Sequence, residues 1–279
     1  MRKFFFFAVA MFTAMTINAT ELFNGSHAVT WDTPLNLEAA KFADAQAGQK
    51  IVVSYTDAAD GIEFKVLEVW DHLAGSREAA WIGGEGNFEQ FLTAAAVEQL
   101  KANGLQLVGN HFTATHVELT DGKELKEGIT VWTGFFWADE WSTLELYKEG
   151  YNTVDFSTIE AIRFYSEAAG SEYVLNFLQG WGEGEKFADQ NDMTDGEGYK
   201  ELALTDDLRT RLAAANHWMI QFNKEALNPF NVTDIVLVPI DHAAIDNTTV
   251  ETKAVKVIEN GQLVIIKNGI RFNALGAQL

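Results

Sequence analysis

The chain has 279 residues, 47% of them hydrophobic and 22% charged, so it can bury sizeable cores and is not disordered overall. A formal net charge of −20 argues against nucleic acid and anionic membrane surfaces as partners, since both call for a basic footprint; an acidic surface also keeps an exported protein soluble. With no Cys there is no disulfide and no thiol chemistry, and stability has to come from apolar packing.

Residues 1–19, MRKFFFFAVAMFTAMTINA, read as a secretory signal peptide: Arg2 and Lys3, an apolar run from Phe4 to Met15, then small residues at Asn18-Ala19. The run is shorter than the roughly 20 residues that cross a bilayer, so a secreted or cell-surface protein without membrane insertion is expected.

Tyr55–Trp70, YTDAADGIEFKVLEVW, and Tyr165–Trp181, YSEAAGSEYVLNFLQGW, echo each other. Each opens on Tyr, a hydroxyl residue, an acid and two alanines, and runs through a glycine and an apolar stretch to a tryptophan. A spacing of roughly 110 residues is too long for a solenoid unit and suggests two tandem modules, 20–120 and 121–240, with Tyr55 and Tyr165 in their cores.

In the first module, Ala28–Trp31, Ile51–Tyr55 and Ile62–Trp70 have strand character, and Gly61 and Gly83-Gly84-Glu85-Gly86 mark turns. Thr93–Asn103 predicts a short helix with Leu92, Ala96, Val97 and Leu100 on one face and a stop at Gly104. Strands Leu105–Val108 and Thr113–Leu119 close the module around Gly109-Asn110. This ending, LKANGLQLVGNHFTATHVEL, resembles the close of the galactose-binding-like, carbohydrate-binding-module-like jelly-roll sandwiches of secreted Bacteroidetes proteins. The resemblance implies an all-β fold of two tandem jelly-roll β-sandwiches, each with one short helix, and a non-catalytic, glycan-binding role.

Thr120–Gly128 reads as a short linker. In the second module ITVWTGFFWADEWSTLEL, from Ile129 to Leu146, resembles the opening strand of the same family, with Trp31 as the reduced counterpart in the first. Ile159–Tyr165, a helix over Thr205–Asn216 with Thr205 as N-cap, and strands Trp218–Phe222 and Asn231–Val238 follow in the same order. A second polar linker leads into 241–279. There Asn260-Gly261 and Asn268-Gly269 are hairpin signals around Leu263–Ile266 and Ile270–Phe272, predicting a C-terminal β-hairpin tail. The tail resembles the sorting tails read by the type IX secretion system.

The chemical motifs are few. The six histidines include no pair at i, i+4 around a glutamate, so there is no zinc helix, and neither a nucleophile elbow nor a phosphate loop occurs. The acidic, glycine-rich stretch Gly182–Glu201 invites a calcium-loop reading. With Gly196 at loop position six, however, Met193 and Leu202 fall where ligand carboxylates belong, so it is not an EF-hand; a solvated loop and no cofactor are expected, with a non-standard calcium site as the alternative.

Aromatics carry most of the functional signal: eight Trp, 20 Phe and six Tyr. Sugar rings stack their C–H faces on aromatic planes while polar side chains orient their hydroxyls. Trp31, Trp132 and Trp218 are expected in cores. Trp70, Trp81, Trp137 and Trp181, beside loops, are the candidate carbohydrate-binding residues, with Arg77 and Glu183 as polar contacts. The expected function is non-enzymatic binding of a polysaccharide or glycan. A structural or adhesive surface protein with protein partners is the alternative, and a glycoside hydrolase ranks below both.

Overall fold

The computed structural model describes residues 19–77, 80–139, 141–167, 173–182, 184–223, 230–240, 255–259, 262–267 and 270–273. The segment expected to be a signal peptide, apart from Ala19, lies outside these residues, as does Glu183. The described residues up to Pro239 form one compact unit and those from Ile240 onward a second.

The fold is all-β. In the first unit, strands β1 (Thr20–Val29), β2 (Leu35–Glu38), β3 (Lys50–Ala58), β4 (Gly61–Val66), β5 (Ala80–Trp81) and β6 (Gly84–Phe91) precede helix α1 (Ala94–Asn103); β7 (Gly104–Gly109) and β8 (Phe112–Thr120) follow it. They form two antiparallel sheets, ordered β1-β8-β3-β6 and β2-β7-β4-β5, around a core that includes Leu22, Phe42, Phe64 and Leu107.

The same plan recurs. β9 (Ile129–Ala138), β10 (Thr143–Tyr147), β11 (Ile159–Ser166), β12 (Val174–Leu178), β13 (Lys186–Asp189), β14 (Thr194–Gly196) and β15 (Tyr199–Ala203) precede α2 (Asp206–Ala214). β16 (His217–Asn223) and β17 (Phe230–Pro239) follow. The sheets are β14-β15-β11-β17-β9 and β10-β16-β12-β13. Apart from the added β14, each order is that of the first sandwich, strand for strand. A second core gathers around Trp218, stacked on Tyr151 at 4.0 Å and met edge-on by Phe177.

Strand alternation fixes which face each side chain takes. In β3, Ile51, Val53 and Tyr55 point into the core, and Val52, Ser54 and Thr56 outward. In β11, Ile162 and Phe164 point inward while Arg163 and Tyr165 point outward. Tyr165 is therefore not a core residue. Both strands carry a register shift against the closing strand, between Ser54 and Tyr55 in one and between Tyr165 and Ser166 in the other. Aligned on these bulges, Tyr55 corresponds to Ser166, Thr56 to Glu167 and His116 to Asp234. The sequence echo is one residue out of structural register, and one residue on a strand reverses the face.

The helices match expectation closely. Thr93 and Thr205 each accept a backbone N–H of the first turn, from Ala96 and Leu208. α1 ends on Gly104 at φ 93°, where a Cβ would lie 2.4 Å from the Leu37 carbonyl oxygen, so only glycine fits.

Other expectations are corrected. Trp31 lies beyond the end of β1 and is largely exposed, because the strand stops at Val29. The strand expected to reach Trp70 stops at Val66, where the Trp70 N–H bonds back to the Val66 carbonyl and closes a turn. Gly84-Glu85-Gly86 is not a turn but the start of β6, paired to β3. The stretch 182–201 is largely ordered: β13, a capped 3₁₀ turn at Gln190–Asp192, β14 and the start of β15. The connector after β8 is held down, not free. Lys123 donates to the carbonyls of Gly134 and Thr233 and pairs with Asp234, which is 2% exposed.

In the second unit the tail is a three-stranded antiparallel sheet, β18 (Val255–Glu259), β19 (Gln262–Lys267) and β20 (Ile270–Asn273), where one hairpin was expected. Both Asn-Gly turn pairs fall between its strands, outside the described residues.

Candidate functional site

The strand registers disperse the residues expected to act together. Trp81 pairs with Gly61 at the start of β4, whereas Trp70 follows the end of that strand. The two therefore lie at opposite ends of the first sandwich, about 17 Å apart along the strand axis. Trp81 is 83% exposed and Trp70 47%. Trp181, 65% exposed, follows β12 in the second sandwich, at the position Trp70 holds in the first.

Trp70 sits at φ 66° and Trp141 at φ 60°. A left-handed backbone is unfavourable for a bulky side chain, by about 1–3 kcal/mol, and such outliers cluster at functional sites.

Arg77 does not stand beside an open Trp81. It packs across the contact between the sandwiches, bridging to Leu146 with its guanidinium 5.3 Å from the Phe136 ring centroid. His72 stacks on Tyr147 at 3.7 Å in the same contact, so the turn-bearing end of the first sandwich covers β9 and β10. Those two are edge strands of their sheets, which would otherwise stand open to pairing.

Trp137 has the richest surroundings. Its neighbours Phe136 and Ala138 turn toward the protein; Trp137 and Phe135 face out, 59% and 55% exposed. Directly across in β17 is Asn231. Asn231 also faces out, because Phe230 and Val232 on either side are core residues. Beside it, beyond the end of β11, is Glu167. The backbones are joined through the Glu167 N–H, and the Asn231 amide donates to the Glu167 carboxylate at 2.8 Å. One face thus presents an indole plane, an amide and a carboxylate on three adjacent strands. Cross-strand neighbours are about 5 Å apart, the scale of a pyranose ring.

The other aromatics of this face are covered. Tyr165 and Tyr199 pack on each other at 5.1 Å. Lys126 lies over the first, and Arg163 over the second. Arg163 is held by Glu201 at 2.6 Å, and that bond raises its pKa. Phe135, though 55% exposed, has Lys123 5.1 Å from its ring centroid and Phe91 packed edge to face with it. Among the described residues of this face, Trp137 remains as the open plane.

No family model matches the chain, and no curated protein matches it. Among solved structures it is similar to SGBP-B of the Bacteroides ovatus mixed-linkage glucan utilization locus, determined in complex with a mixed-linkage heptasaccharide. The two are 21% identical over 36% of this chain and 28% of that one, with a TM-score of 0.32. The chain therefore spans less than a third of that protein's length, and a likeness of this extent assigns no function.

Among the described residues, no group of three or more His, Asp or Glu side chains is arranged to hold a metal. No helix among them is long and apolar enough to cross a membrane. Sequence reasoning named Trp137 but missed Asn231 and Glu167. Glu167 was visible as the acid of the echoed motif. Its proximity to Trp137 depends on a strand pairing that spacing alone does not reveal.

Proposed function

We propose that this chain is an exported, non-catalytic glycan-binding protein of the secreted or cell-surface class, built as two sandwich modules over 20–120 and 121–240. Sugar rings stack on Trp137, and Asn231 and Glu167 orient their hydroxyls. The observation that carries this reading is the exposed indole beside a hydrogen-bonded amide–carboxylate pair: an apolar plane for the ring face and, next to it, both donors and acceptors for the ring edge. Trp70, Trp81 and Trp181 lie on or just after other strands and serve as accessory contacts for longer chains.

Isothermal titration against a panel of soluble polysaccharides tests the proposal. Binding to at least one member, lost in Trp137→Ala while the fold is kept, supports it. Absence of binding across the panel argues for the surface-adhesin alternative with protein partners.

A further inference from the structure

The contact between the sandwiches holds a cation that no described residue neutralises. Arg77 forms no ion pair and no side-chain hydrogen bond among the described residues, and burial lowers its pKa while leaving it charged. A desolvated, unpaired guanidinium is destabilising, and its isolation stands out in a chain with 40 acids. The neighbouring cations are engaged: Lys50 with Glu89 at 2.5 Å, and Lys123 with Asp234 at 3.1 Å.

Arg77 lines a cavity of about 80 Å³ walled by Glu89, Gln90, Phe91, Trp132 and Phe135. Its walls are fixed. The Gln90 amide donates to the Gly75 and Phe91 carbonyls, and Phe91 meets Phe135 edge to face at 5.6 Å. A space that size holds a few waters or one small planar anion, not a sugar ring, since a water needs about 10–15 Å³. Phe135 belongs both to this wall and to the exposed face of β9, and Trp137 follows two residues on, roughly 7 Å away along the strand.

We infer that this cavity is the carboxylate pocket of an acidic-glycan site: Arg77 takes the carboxylate of a uronic acid residue while the Phe135–Trp137 strip carries the adjoining rings. The inference rests on the glycan-binding reading and names its substrate class. A planar guanidinium fork matches a carboxylate bidentately, and the bond gains strength where water is excluded.

The test uses the full chain and two matched pairs of probes: an oligogalacturonate and its methyl ester, and a glucuronoxylan oligosaccharide and the corresponding undecorated xylo-oligosaccharide. Affinity is read by titration, and the ligand-induced shift in melting temperature is read on the wild-type protein alone. We expect the acidic member of at least one pair to bind ten-fold or more tighter than its neutral partner. Arg77→Met is expected to erase that preference while leaving neutral binding in place, and Arg77→Lys to keep part of it. Trp137→Ala is expected to weaken both members of the pair. Equal binding of acid and neutral forms overturns the inference but leaves glycan binding standing, as does an acid preference that survives in Arg77→Met. Binding of poly-glutamate in place of every sugar overturns both readings.

Discussion

The two sandwiches share a frame and differ on one face. Strand order, helix position, the N-cap threonines and the bulge opposite the closing strand correspond. On the outer face of the bulged sheet, the positions of Trp137, Glu167 and Asn231 are occupied in the first sandwich by Ala28, Thr56 and Thr113. The first sandwich thus has neither an aromatic plane nor a carboxylate there. Backbone topology follows from patterns many residues can satisfy, whereas a binding face depends on three or four side chains and changes with them.

The largest expected effect lies at the position where the frames differ in charge. Asp234 is buried and bonded to Lys123 and Thr133; its counterpart His116 is partly exposed beside Glu21 and Glu118. Asp234→Ala leaves Lys123 partly desolvated without its partner and should lower unfolding free energy by about 3 kcal/mol. His116→Ala should stay within about 0.5 kcal/mol. Urea melts of both variants check this, and equal losses would break the comparison.

The helix stops come next. Gly104→Ala forces a Cβ against the Leu37 carbonyl at positive φ and should destabilise by about 2 kcal/mol or more, while Ala215→Gly at the end of α2, where φ is −68°, should cost under about 1 kcal/mol. The N-caps should agree instead: Thr93→Ala and Thr205→Ala are each expected to lose about 1 kcal/mol in thermal melts. A large disparity there would argue that the helices play different roles.

The smallest effect is a pH dependence in the second sandwich. The Lys186 ammonium and the Asn191 N–H hold the Asp189 carboxyl below the usual range. A folded-state pKa depressed in this way contributes stability that is present above the unfolded carboxylate pKa and lost as pH falls through the folded value, so the loss should begin below about pH 4. Carboxyl chemical shifts followed by NMR from pH 6 to 2 check it; a midpoint for Asp189 at or above the model-compound value would contradict it.

Much of the frame was legible in the sequence. Alternation in Ile51–Tyr55, the Thr caps and Gly104 are local signals, and local signals fixed β3, both helices and the closing strands. Less legible were features set by long-range pairing. β6 is glycine-rich and polar at its start, so its pairing to β3, not its composition, makes it a strand. Trp70 read as the end of a strand because an apolar run does not disclose where a turn closes. Tyr165 matched Tyr55 letter for letter, yet the bulge turns it to the opposite face. The candidate site was half legible. An indole followed by loop residues pointed to Trp137. That β17 and β11 bring Asn231 and Glu167 beside it is a property of sheet order.

The most direct test of the glycan-binding account compares the equivalent positions in one titration. Wild type, Trp137→Ala and a first-sandwich variant, Ala28→Gln, are titrated with the glycan the wild type binds best. The account expects Trp137→Ala to lose about 2 kcal/mol, roughly 30-fold in affinity, and Ala28→Gln to bind as wild type does. Retention of full affinity by Trp137→Ala, or an equal loss in both variants, would contradict it.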